Sequence, residues 1–90
     1  MPRKEKVTRV VDGDTFHTDR RKNPVRLANV NAPEKGERGG SAATRALRDM
    51  IQGEEVSIDT VARDKFGRSV AKVKVGRQSV NKAMREKVEK

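Results

Sequence analysis

Apolar residues in this chain fall in short runs whose period changes between two and about four, and each change marks an element boundary. Lys6 to Val11 and Thr15 to Thr18 are β-branched stretches joined by Asp12-Gly13-Asp14, a tight-turn sequence with left-handed torsions available, and together they predict a hairpin. A charged loop from Asp19 to Asn23 and then Pro24 lead into a third strand, Val25 to Val30. There Val25, Leu27 and Asn29 share one face and Arg26, Ala28 and Val30 the other. Asn31 to Gly40 contains Pro33 and several Gly and reads as a loop. Ser41 is the expected N-cap of a helix reaching Ile51, with Ala43, Leu47, Met50 and Ile51 as its apolar stripe and Gly53 as its stop. Val56, Ile58 and Thr60 alternate with polar residues, Arg63 to Gly67 turns the chain, and Ser69 to Val75 returns as the second arm of another hairpin. Ser79 caps a last helix carrying Val80, Ala83, Met84 and Val88 at helical spacing, while residues 1–5, mostly charged and without periodicity, predict a basic tail.

Three strands, a helix, two strands and a helix is the layout of a β-rich α+β domain. The expectation is a five-stranded OB-fold barrel of Greek-key type with two flanking helices, and an open α+β sheet is the alternative. Ninety residues suit one such domain, spanning 1–90. Only 32% of positions are hydrophobic, but the valines sit in alternating runs rather than scattering through polar tracts, which favours a folded β domain over disorder. No apolar run exceeds three residues, so the sequence predicts a soluble chain with neither a membrane span nor a signal-peptide core.

Charge narrows the partners. A formal net charge of +9 on 90 residues points to a polyanionic partner, either nucleic acid or an anionic membrane surface, and with Phe16 and Phe66 as the only aromatics, phosphate contacts rather than base stacking must supply most of the affinity. The absence of Cys removes thiolate chemistry, Cys-ligated zinc and any disulfide-linked partner, and a single His excludes a site built on two imidazoles. Any metal would therefore sit on oxygen. Three segments carry suitable groups: Val11 to Thr15, Val25 to Glu34, and Asp64 to Arg68. A hard cation such as Ca²⁺ could take oxygens from Asp14, the Asn31 amide and the Ala32 carbonyl, with Pro33 restricting the backbone on either side of it. Arg26 and Arg68 each offer paired donors for a phosphate. Asp12 reads as a turn residue, Glu37 as a loop carboxylate and Lys65 as an exposed turn tip. Phe66 reads as a stacking or rim-filling ring, and His17 has no assigned role.

The stretches VVDGDT, VRLANVNAPE and DKFGRSVA, in this order and spacing, resemble the staphylococcal-nuclease-like (thermonuclease) family, the resemblance running from about Val7 to Met84. It implies an OB-type barrel and calcium-dependent hydrolysis of DNA or RNA phosphodiesters by in-line attack of water, on single-stranded or frayed substrates. Asp14 matches a calcium-binding Asp, Arg26 and Arg68 match two phosphate-gripping arginines, and Glu34 matches the carboxylate that positions or activates water. Lys65 and Phe66 are weaker candidates for touching nucleic acid. Asn31 stands where well-studied members carry a second calcium-binding Asp, and Ala32 replaces a Thr whose backbone carbonyl is the ligand. The loss of a negative charge at Asn31 weakens the expected cation affinity. The competing reading is a non-catalytic OB-fold module of the same family that binds nucleic acid; a third is a protein-interaction domain that keeps only the fold.

Overall fold

The computed structural model describes residues 4–34 and 36–88. β1 (Lys4–Asp12) and β2 (Thr15–Thr18) form the first hairpin, followed by β3 (Val25–Leu27), α1 (Gly40–Ile51), β4 (Glu55–Arg63), β5 (Ser69–Val75), the two-residue β6 (Gln78–Ser79) and α2 (Val80–Val88). The long β1 serves two neighbours. Its first residues, Lys4 to Lys6, pair antiparallel with β4, and Val7 to Asp12 pair with β2 through two register shifts. Such irregularities bend a strand and increase its twist, as closing a sheet on itself requires.

Closure is completed by β3, which pairs antiparallel with β2 and parallel with β5 in the register Val25↔Ser69, Arg26↔Val70 and Leu27↔Ala71. With β4 antiparallel to β5, the ring runs β1, β2, β3, β5, β4 and back to β1. The expected five-stranded closed sheet with two helices is observed, and the open sheet is not. Inward-facing Val7, Val10, Phe16, Val25, Leu27, Val56, Ile58, Ala71 and Val73 fill the interior, with Leu47 and Ile51 from α1 and Val80 and Met84 from α2 completing the core. α1 packs against β1 and α2, and α2 against β5. Among the described residues no helix is long and apolar enough to cross a membrane.

Several sequence expectations are corrected. Lys4 and Glu5 belong to β1 rather than to a tail. Glu5 is buried, accepting a hydrogen bond from the Thr18 hydroxyl (2.7 Å) and pairing with Arg21 Nε (2.9 Å), a long-range partnership that local periodicity cannot reveal. The remainder of that expected tail, residues 1–3, lies outside the described residues. β3 ends at Leu27, not Val30. Asn29 adopts a left-handed φ of 59° that breaks the alternation and turns Val30 into the core instead of leaving it on the Arg26 face. α1 is entered from Gly39, with no side-chain cap, and Ser41 lies inside the helix. Ser79 does cap α2, its Oγ accepting the Lys82 N–H (3.2 Å). The buried Val80 and Met84 and the half-buried Ala83 follow the expected stripe, whereas the Val88 side chain lies outside the described residues. The two-residue β6 is too short to show an alternation in the sequence.

Asn81 is the polar residue that ties closure to the core. Its Oδ1 accepts the Val73 N–H (2.8 Å), and its Nδ2 donates to the carbonyls of Ala28 (2.9 Å) and Ala71 (3.0 Å). One buried amide thereby fastens α2 to β5 and to the segment just after β3.

Candidate active site

The β1–β2 turn places the first acidic groups. Gly13 does not use a left-handed torsion there; its requirement is steric, since a Cβ would lie 2.7 Å from the Cβ atoms of both Ala32 and Ala43. The bare backbone lets α1 and the 31–34 loop close onto the turn. Asp12 Oδ1 accepts the Asp14 N–H (3.2 Å), as an Asx turn would, and the Thr15 hydroxyl donates to Asp14 Oδ1 (2.9 Å). Burial pushes the Asp14 carboxyl up to about 6, reinforced by the neighbouring Asp12 carboxylate and opposed by Thr15 and Arg26.

Arg26 projects from β3 on the face opposite the buried Val25 and Leu27. Its Nη1 donates to the Leu27 carbonyl (2.9 Å) and its Nη2 to the Val30 carbonyl (3.0 Å), while Nη2 also lies 3.6 Å from Asp14 Oδ2. Two backbone anchors fix the guanidinium plane, and the remaining N–H groups stay available. In the following loop the Glu37 carboxylate accepts the Glu34 N–H (2.8 Å) and the Glu37 N–H donates to the Glu34 carbonyl (2.9 Å), so these two residues brace one another.

Arg68 arrives from the other side of the ring. The turn between β4 and β5 is organised by Asp64, whose Oδ1 accepts the N–H groups of Phe66 (3.0 Å) and Arg68 (2.9 Å) and whose Oδ2 takes Arg68 Nε at 2.6 Å. Gly67 supplies the φ of +82° that lets the chain double back. Desolvation of Asp64 is outweighed by the backbone and side chain of Arg68 and the Phe66 N–H, which hold its carboxyl below the usual carboxylate range. The Phe66 ring, 71% exposed, lies 5.5 Å from the Arg68 guanidinium and 5.4 Å from Lys65 Nζ.

Asp14, Arg26, Asn31, Ala32, Glu34 and Arg68, the six residues expected to carry catalysis or metal binding, line one open cleft of about 450 Å³ together with Asp12 and Glu37. Lys65 and Phe66 do not line it. They stand on the adjoining turn, where Phe66 is exposed rather than filling the barrel rim. The sequence reading gave Glu37 no place in the site and Asp64 no role. Their signals were the Glu-x-x-Glu spacing after Pro33 and an acid four residues before Arg68 across a glycine turn. Four acidic residues, Asn31 and Ala32 line the same cleft in a chain of net charge +9, which makes a local acidic pocket with two arginines in it. Among the described residues no three His, Asp or Glu side chains converge as a preformed metal cluster. A cation here would rely on Asp14 and on neutral oxygens from Asn31 and Ala32.

A closed five-stranded sheet with its cleft built from the first hairpin turn, the loop after β3 and the β4–β5 turn defines a class of OB-like proteins with a polar, doubly charged site. Residues 24–87 match the family model described as staphylococcal nuclease homologue, and the chain belongs to that family. It is 34% identical over 70 residues to an uncharacterized endonuclease of Escherichia coli O157:H7, covering 76% of this chain and 46% of that protein. It is 38% identical over 69 residues to a micrococcal nuclease of Shigella flexneri, covering 74% of this chain and 40% of that protein. An uncharacterized endonuclease of Haemophilus influenzae is 30% identical over 82 residues, with 88% and 46% covered. The chain thus spans less than half the length of the curated relatives it matches.

Proposed function

We propose that this protein is a calcium-dependent nuclease that hydrolyses phosphodiester bonds of DNA or RNA by in-line attack of water, preferring single-stranded or frayed substrates. The observation that carries this reading is the convergence of Asp14, Arg26, Glu34 and Arg68 on one cleft from three separate segments. Family membership and relatives named as nucleases support it. Asp14, Asn31 and Ala32 would hold the cation. Oxygen donors suit a hard ion, and the proton affinity of the crowded Asp14 carboxyl is what a bound cation would relieve. Bound there, Ca²⁺ would supply positive charge to the phosphate and to the attacking oxygen.

The chain's own groups account for the rest. Glu34, exposed at the cleft, accepts a proton from the attacking water. Arg26 is held in one plane by two carbonyls and offers its remaining donors to a non-bridging phosphate oxygen. Arg68, its Nε on Asp64, directs its Nη groups to the phosphate as negative charge grows on it. Both are preorganised, so little rearrangement accompanies charge development.

Incubating the protein with single-stranded DNA and RNA, with Ca²⁺ or with chelator, tests the proposal: cleavage in Ca²⁺ that stops in chelator is expected. Absence of cleavage with salt-sensitive binding retained would instead favour the non-catalytic nucleic-acid-binding module, a reading that the single carboxylate among the three cation donors keeps specific. Asn31→Asp restores a charge to that donor set and should lower the Ca²⁺ concentration at half-maximal activity. An unchanged midpoint would remove Asn31 from the site.

A further inference from the structure

The segment 19–23, read from sequence only as a charged loop, forms a second polar recess away from the cleft. Arg21, Lys22, Asn23, Arg63 and Ser69 line a pocket of about 210 Å³. Arg21 is rigidly held: its Nε contacts both Glu5 oxygens (2.9 and 3.0 Å) and its Nη1 donates to the hydroxyls of Ser69 (3.2 Å) and Thr60 (3.4 Å). Glu5 neutralises it. Lys22 and Arg63 are exposed and make no ion pair among the described residues, so the pocket carries two uncompensated positive charges beside a fixed guanidinium, a hydroxyl and an amide. Every charged side chain lining it is basic, whereas the cleft mixes both signs. That is a donor set for an anion of phosphate type.

Its position relative to the cleft is the second observation. Ser69 lines this pocket and Arg68, the preceding residue, lines the cleft, so the two recesses meet the chain at consecutive residues where the β4–β5 turn enters β5. Asn23 lies against that turn, its Nδ2 being 3.4 Å from where a Gly67 Cβ would stand, and the Ser69 N–H donates to the Pro24 carbonyl (3.1 Å). The two recesses thus both adjoin one braced turn whose tip exposes Lys65 and Phe66.

We infer that the Lys22–Arg63 pocket is a second phosphate-binding site, which takes a backbone phosphate of the same nucleic-acid strand whose reactive diester lies in the cleft, the strand passing over the β4–β5 turn. The inference rests on the nuclease reading above. It makes the protein's natural substrate a strand of several nucleotides rather than a dinucleotide, because a short substrate fills the cleft without reaching the second site.

The test compares wild type with Lys22→Ala/Arg63→Ala, using a fluorescent twelve-nucleotide single strand and a dinucleotide in Ca²⁺, with folding checked by circular dichroism. Neither side chain makes an ion pair among the described residues, so the fold should persist. The double variant should bind the twelve-mer about tenfold more weakly at physiological salt, and its log–log salt slope should be shallower by about 1.4, the release expected from two single-strand phosphates. Turnover of the dinucleotide should be unchanged. A second pair, Arg9→Ala/Arg48→Ala, removes the same charge from an opening between β1 and α1. Equal losses in the two double variants would show only the overall field and overturn the site, as would unaltered twelve-mer binding by Lys22→Ala/Arg63→Ala. Cleavage of both substrates with no effect of the double variant overturns this inference alone. Wild-type binding that depends on Lys22 and Arg63 without any cleavage sinks the nuclease reading and leaves the phosphate site standing. Failure of the wild type to bind either substrate overturns both.

Discussion

Arg68 enters the cleft with Nε already engaged by Asp64, so its charge is aimed before any substrate arrives. If Arg68 acts as the proposed nuclease mechanism requires, its removal costs transition-state stabilisation rather than binding, and Arg68→Ala should lower turnover about 100- to 1,000-fold while most salt-dependent affinity stays. Arg77, exposed on the turn after β5, is the matched control. Equal small losses in both variants would reduce Arg68 to one basic side chain among many. Asp14 makes a different prediction, read in pH. Its folded pKa of about 6 lies above the ordinary 3.8, so the folded metal-free protein holds this proton more tightly than the unfolded chain does. The resulting stability is fully present below about pH 4 and disappears as pH rises through about 6. In chelator, the melting temperature of wild type should therefore drop relative to Asp14→Asn across that window, and Ca²⁺ should restore it above pH 6. Parallel pH profiles for the two proteins would refute the assignment.

Among the elements, the first hairpin turn bears the tightest constraint. Gly13→Ala forces a Cβ against Ala32 and Ala43, neither of which has a flexible end to yield, so α1 and the 31–34 loop must move away from Asp14. Overpacking of this kind costs about 1–3 kcal/mol, and calorimetry should show it together with a loss of Ca²⁺-induced stabilisation. A variant that melts lower yet keeps its full Ca²⁺ response would separate the turn from the site. Gly13 also illustrates what sequence conveyed. Asp-Gly-Asp announced a turn, but not that the glycine serves close approach instead of a left-handed torsion, because the atoms it avoids lie far along the chain. The apolar period identified β2, both helices and the alternating part of β4 and β5, and three motifs placed six residues in one cleft. Glu5, Arg21 and Asn81 share a reason for being illegible: each is polar and held by partners distant in sequence, and no local pattern distinguishes it from a solvated neighbour. The end of β3 at Asn29 and the entry to α1 at Gly39 were missed because a local torsion overrode the expected alternation and the expected cap.

At the scale of the molecule, β5 is flanked on one side by β4 and on the other first by β3 and then by β6. β3 covers Ser69 to Ala71 and β6 covers Lys74 and Val75, with the Val73 N–H between them taken by Asn81, and β3 likewise has a partner on each side. Valine-rich strands with unpaired N–H and C=O groups are templates for joining other chains, and closing the ring occupies the edges of β3 and of both ends of β5. Asn81 secures the seam: Asn81→Ala strands the Val73 N–H and takes a donor from Ala28 and Ala71 at once, at about 1–3 kcal/mol for each buried group left unpaired. The seam between β3 and β5 should then open on mild warming, and light scattering with thioflavin binding should rise below the temperature at which the wild type begins to melt. A variant that unfolds earlier but stays clear would locate the seam's strength elsewhere. On that prediction the amide on α2 would guard against fibre formation, and a chain so poor in hydrophobic residues would resist aggregation through the closing of its sheet as much as through its charge.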